Sequence, residues 1–281
     1  MDKNSLEAQR KKAIMVKILI VILGIIAVIA VLCTLGMFAS LITIIIFYVI
    51  FSKYSKSAKK AMNAAAEEQL IPQILGEKFR VNSFEADNHI KKFEINSLGL
   101  FGGIASVEGN ALLDADLGNI HFVRSGVYID DTNVTTEFDY ETAMHRTETD
   151  YVKVFSGYVM RTEHGCPQFK GVSASYDDMS DILRFGEKAA GENHFSVYCG
   201  KELSSVPQEV INGLMNVKKA VDRPMAMIFS DKYFYVFVSG KDNFFTINNL
   251  MSIDANTEAM RKQAEETALL AESLSFLDYI K

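Results

Sequence analysis

The chain has 281 residues, 49% of them hydrophobic, with a net charge of −6 and three cysteines. Nine of its 29 Lys and Arg, but only Asp2 and Glu7 of its 35 acidic residues, lie in the first 60 positions, so that stretch carries +7 and residues 61–281 carry −13. So acidic a region excludes a protein that tracks a phosphate backbone, and the odd, irregular set Cys33, Cys166 and Cys199 excludes a disulfide scaffold and fits a reducing compartment.

Residues 1–17 form a basic N-terminus, with Arg10, Lys11, Lys12 and Lys17. From Ile18 to Ser52 there is no charged residue, and the run is far longer than the apolar core of a signal peptide, about 7–15 residues. As one helix, Ile18–Phe51 would measure about 51 Å at about 1.5 Å per residue, against a hydrocarbon core of about 30 Å. A break at Cys33-Thr34-Leu35-Gly36 gives two arms, 18–33 and 37–51, of about 24 Å each, which snorkelling by Lys17 and Lys53 and thinning of the bilayer accommodate. Lys53, Lys56, Lys59 and Lys60 follow the run. Positive charge in short flanks stays cytoplasmic, so residues 18–52 are expected to form a transmembrane helical hairpin, multi-pass in the cell membrane, with both termini cytoplasmic. Gly36, Ser40 and Thr43 are the expected helix-packing positions, because small residues four apart let helices approach closely; the packing is between the arms or, alternatively, in a homo-oligomer.

Residues 53–72, rich in Ala, Lys, Glu and Gln, predict a juxtamembrane helical stalk ending at Pro72. The rest, 73–281, predicts a cytoplasmic α+β domain, mainly antiparallel β with helices packed on it, and a division into two sub-domains near 186–191 is open. Lys78–Val81, Ile104–Val107, Ile120–Val123, Val127–Ile129, Val152–Val159 and Phe169–Ala174 read as strands. Gly118-Asn119, Arg124-Ser125-Gly126, Asp130-Asp131 and Gly165 read as turns between them. A helix is predicted over Val206–Val221, opened by a capping box of Ser205 and Gln208. Two apolar runs, Met225–Phe229 and Tyr233–Val238, predict a hairpin. A last helix over Thr257–Leu277 carries the stripe Met260, Ala264, Ala268, Ala271 and Leu274.

The order of these features resembles the uncharacterised bacterial family called domain of unknown function 3137. Lys153-Val154-Phe155-Ser156-Gly157 is similar to that family's Phe-x-Gly strand, His194-Phe195-Ser196-Val197-Tyr198 to its Phe-x-Val-Tyr strand, and Val206-Pro207 to its Thr-Pro helix start. The resemblance implies a membrane-tethered α+β domain and supplies no activity.

Chemistry-bearing residues are sparse. His164-Gly165-Cys166 with Cys199, His194 and His121 lacks the paired spacing of zinc ligands, and a Cys–His nucleophile pair is defined by geometry, not composition. Gly99–Gly103 lacks both phosphate-loop patterns, and Ser57-Ala58-Lys59-Lys60 lacks the partner motifs of a Ser-x-x-Lys enzyme. Asp114/Asp116, Asp130/Asp131 and Asp177/Asp178 with Asp181 fit turns, where Asp bonds its own backbone; the last is the best placed of them to hold a cation. The aromatic hairpin residues Phe229, Tyr233, Tyr235 and Phe237 are either core or an interaction surface. The sequence therefore assigns no catalytic residue, metal or cofactor. It points to a membrane-tethered interaction or regulatory module with an unidentified protein partner; the alternatives are an enzyme acting on a membrane-proximal or lipid-derived substrate, or a structural envelope component that oligomerises through its arms.

Overall fold

A computed structural model describes residues 3–101, 104–139, 144–177, 179, 188–192, 194–200, 203–240, 245–248 and 251–280. They divide into two units: residues 1–74 with 246–260, and residues 75–245 with 261–281.

The first unit is built on two long helices, α1 (Lys3–Leu35) and α2 (Met37–Gly76). Both are long and apolar enough to cross a membrane. The one residue between them, Gly36, takes φ +83°, a left-handed conformation that glycine adopts without the Cβ clash other residues suffer. Gly36 is thus the turn, and among the described residues nothing lies within 4 Å of where its Cβ would stand, so it does not seat one arm against the other. Ser40 serves the same turn, its Oγ donating to the Gly36 carbonyl at 3.0 Å, and the Thr43 hydroxyl donates to the Ala39 carbonyl at 3.0 Å. The close approach lies deeper, at Gly24, where a Cβ would stand 3.1 Å from the Phe47 ring.

Helix α1 starts at Lys3, well before the apolar run, because residues 3–17 have interactions of their own. Leu6 is buried. The Glu7 carboxylate accepts from Arg10 Nε at 3.0 Å and Nη2 at 2.6 Å. It also accepts the backbone N–H of Ile253, at 3.0 Å, where the last long helix (Ile253–Ser273) begins. A helix start has free N–H groups and a partial positive charge that a carboxylate satisfies. Helix α2 does not stop at Pro72; the buried series Met62, Ala66, Leu70, Ile71, Ile74 continues through it. Proline removes one helical N–H, and here that loss does not outweigh the apolar face on either side of it.

The second unit is a nine-stranded, wholly antiparallel sheet in the order β1-β2-β3-β4-β9-β8-β5-β7-β6. Its strands are β1 (Arg80–Glu85), β2 (Ile104–Leu117), β3 (Ile120–Asp139), β4 (Met144–Glu163), β5 (Ser173–Tyr176), β6 (Lys188–Glu192), β7 (Phe195–Tyr198), β8 (Met225–Phe229) and β9 (Tyr233–Ser239). Arg124-Ser125-Gly126 and Asp130-Asp131 are not turns but lie inside β3, paired to β4 throughout. The predicted strand over Phe169–Ala174 is instead a 3-10 turn, Pro167–Phe169, followed by β5. Strand β6 belongs to the same sheet as the rest.

Side chains alternate across a strand, and in β8 and β9 both sets are covered. One face is covered by the 261–273 part of helix α5 (Ile253–Ser273) and the 3-10 turn Leu274–Asp278, and helix α4 (Gln208–Ala220) meets that turn at Gly213. The Phe276 ring meets the Phe234 ring edge-on at 5.9 Å. The predicted α5 stripe, Ala264, Ala268, Ala271 and then Leu274, is buried as expected. Helix α4 starts from Pro207 without a side-chain cap, so the capping box is not formed. On the other face, Val127, Ile129, Phe155, Val159, Ile228 and Phe237 form a core roofed by Ile90, Ile95, Leu100 and Phe101, on and around the short helix α3 (Lys92–Asn96).

Candidate functional site

Because both faces of the β8–β9 hairpin are covered, its aromatics are not a docking surface. Phe229, Tyr235 and Phe237 are at most 2% exposed, and Tyr233 is half-buried. The hairpin instead builds the wall of a cleft. Arg161 on β4 pairs across the strands with Tyr235 on β9, and Tyr235 with Ile228 on β8. These three side chains therefore stand in a row on the face that α3 roofs, and Tyr233, two residues before Tyr235, lies on the same face. Between this row and α3 opens a cleft of about 500 Å³, whose rim carries Lys170, Asp231 and Lys232.

A charged pair sits at its base. Arg161 donates through Nη1 to Glu94 Oε1, and the Tyr235 hydroxyl donates to the same oxygen at 3.0 Å. The Arg161 guanidinium lies 4.6 Å from the Tyr233 ring centre, a cation–π contact that strengthens as water is excluded. Arg161 Nε is buried and has no acceptor among the described residues. Burial, reinforced by the neighbouring Glu94 carboxylate, raises the Tyr235 hydroxyl far above its usual pKa. Tyr235 thus stays protonated at neutral pH and acts as a donor, not as a base or nucleophile. At the rim, Lys170 meets Asp231 and Lys232 meets Glu163, each at 2.7 Å and all four side chains more than half exposed.

His164 and Cys166 come together, but through the backbone. The Cys166 N–H donates to His164 Nδ1 at 3.1 Å, and Nε2 donates to the Ser230 carbonyl at 3.1 Å. With the ring half-buried, desolvation lowers its pKa, so the imidazole is neutral, with Nε2 bracing the β8–β9 turn and Nδ1 the backbone at Cys166. The Cys166 thiol is buried, and His121, His194 and Cys199 lie on other elements. No group of three His, Cys, Asp or Glu fit to hold a metal ion is found among the described residues. Asp114 and Asp116 are not in a turn. They project from β2 and receive the Asn82 amide at 3.0 and 3.2 Å, while Asp116 also bonds His121 at 2.9 Å. Of the Asp177 cluster, Asp178 and Asp181 lie outside the described residues.

A second polar group, on the opposite face of the sheet, is buried and structural. Arg124, 1% exposed, stacks 4.1 Å from the Tyr158 ring centre and 5.0 Å from that of Phe245. The Tyr158 hydroxyl donates to Glu266 at 2.8 Å, and Arg223 ties the same carboxylate, at 3.1 Å, to the Ser239 carbonyl, at 3.0 Å. Burial and then the Glu266 charge push the Tyr158 pKa well above normal.

The sequence did not point to Glu94, Arg161 or Gly24. The parity of β9 is the signal that places Tyr233 and Tyr235 on one face, and an arginine two residues beyond Val159 continues that strand's alternation. The chain matches no protein-family model, and no curated protein or solved structure is detectably similar to it.

Proposed function

We propose that this protein is a membrane-tethered interaction or regulatory module. Residues 18–52 cross the bilayer twice, both termini face the cytoplasm, and the α+β domain works at the membrane surface on a protein partner. The observation that carries the reading is the outward orientation of the apolar side chains on α1 and α2. Between Met15 and Ile50, twenty-one large hydrophobic residues are exposed, at 44–78%. At about 1 kcal/mol for each half-exposed side chain left in water, their cost is on the order of 20 kcal/mol, more than a domain's typical net stability of about 5–15 kcal/mol. Lipid removes that cost.

The position of the helix ends supports the topology. Glu7 on α1, Ile253 at the start of α5 and the buried stripe of α2 from Met62 to Ile74 belong to one packed unit. A hairpin whose two outer ends share a fold keeps them on one side, in agreement with the basic flanks. The alternative of an enzyme draws on the cleft, which has the concavity an active site needs. Within it, however, the perturbed group is a tyrosine held protonated and already bonded to Glu94, and His164 is committed to the backbone at both nitrogens. Binding fits those commitments better than proton transfer. Cross-linking in cells, followed by mass spectrometry, tests the reading: specific protein neighbours of residues 73–281 are expected, and their absence in the intact membrane would overturn it.

A further inference from the structure

From the cleft between α3 and the β4–β9–β8 row we infer a binding site for a small amphipathic anion, one phosphate or carboxylate on an apolar body. The inference goes beyond the tethered-module reading and does not need a protein partner. Three of the five charged side chains lining the cleft are cationic, Arg161, Lys170 and Lys232, in a region whose net charge is −13. Arg161 Nε is a buried donor with no acceptor among the described residues, a state that costs stability unless a water or ligand supplies the acceptor. The ion pairs Lys170–Asp231 and Lys232–Glu163 are exposed to solvent, and exposed pairs contribute little, so an entering anion competes with these carboxylates for the ammonium groups.

The apolar part follows from the remaining lining. Ile228 and Tyr235 form the sheet side, Leu98 packs against the same core, and Phe93 stands at the lip with 76% of its surface exposed. Ile228 and Tyr235 are already buried, so the apolar surface that an inorganic ion would leave wet and a short acyl or aryl body would cover is that of Phe93 and the exposed part of Leu98. The surrounding negative charge disfavours a polyanion such as a nucleotide or nucleic acid, and the size suits a small ligand.

The test uses the full chain in nanodiscs of zwitterionic lipid, titrated with hexyl phosphate by calorimetry against empty discs. Saturable binding is expected, with inorganic phosphate and hexanol each about tenfold weaker or more, since losing either the charge-assisted bonds or the apolar contacts forfeits at least one such interaction. Arg161→Gln should abolish it. That variant leaves Glu94 without its cation and can unfold, so the exposed pair Lys170→Gln with Lys232→Gln, and separately Phe93→Ala, provide the decisive comparison: each should weaken hexyl phosphate about tenfold. No saturable heat, equal affinity for inorganic phosphate, or unchanged affinity in both of these variants would overturn the inference. Discs containing phosphatidic acid identify the source: competition with hexyl phosphate supports a lipid headgroup, and its absence supports a soluble ligand in the same site.

Discussion

Replacing Arg124 by Ala is expected to lower the stability of the sheet unit by about 3–5 kcal/mol, the range for removing one member of a buried charged network. The reason lies in what β3 does with this residue. Its guanidinium is buried between the Tyr158 and Phe245 rings, and Tyr158 in turn donates to Glu266. Alanine removes the stacked plane, its packing volume and a cation from the neighbourhood of a carboxylate that only Arg223 then bridges to the Ser239 carbonyl. Met keeps most of the volume, so Arg124→Met should lose about 1–2 kcal/mol less than Ala. Lys, which cannot stack as a plane, should fall closer to Ala. Pulse proteolysis of the detergent-solubilised chain measures all three. An alanine variant within about 1 kcal/mol of wild type would mean that the network contributes no more than a surface pair.

Gly213→Ala is expected to destabilise by about 1–3 kcal/mol through overpacking, although the same change in an open helix stabilises by about 1 kcal/mol. Gly213 lies on α4 where a Cβ would overlap the Phe276 ring. The 3-10 turn after α5 reaches α4 only because nothing projects there. The sign should reverse once room is made: in a Phe276→Ala background, Gly213→Ala should become neutral or stabilising. If Gly213→Ala destabilises equally in both backgrounds, the contact is not the cause.

How far the residues reveal this fold depends on the range of the forces involved. The apolar helix pair, α4, α5 and the β8–β9 hairpin were legible because their signals are local: an uncharged run, a helical stripe, two apolar runs across three turn residues. The turn at Arg124-Ser125-Gly126 was misread because Arg, Ser and Gly look like loop residues until a partner sheet buries them. Arg124 is an interior residue only because the Tyr158 and Phe245 rings, distant in sequence, enclose it. Gly36 was legible as the break but not as the whole turn, since a glycine four residues before a serine also fits a packing motif. Its positive φ marks it as the turn. Pro72 misled in the opposite direction, because tertiary burial on both sides of it holds the helix together.

The cleft shows the same limit more sharply. Glu94 lies on a five-residue helix too short to display a period, and it meets Arg161 from 67 positions away. Such a pair has no local signature. The hairpin aromatics Phe229, Tyr235 and Phe237 are buried and do not form an exposed patch; Tyr235 walls the cleft from within the core.

We propose that α1 and α2, each long and apolar enough to cross a membrane, do so as a hairpin that returns both helix ends to the cytoplasm, where Glu7 meets the start of α5. Reporter fusions at Met1 and at Lys281, in separate full-length chains, test it most directly, using one reporter active only in the cytoplasm and one active only outside it. Both fusions should score cytoplasmic, each silent with the external reporter. Opposite locations for the two ends, or a chain recovered without membrane, would contradict the hairpin and the shared side assigned to its ends.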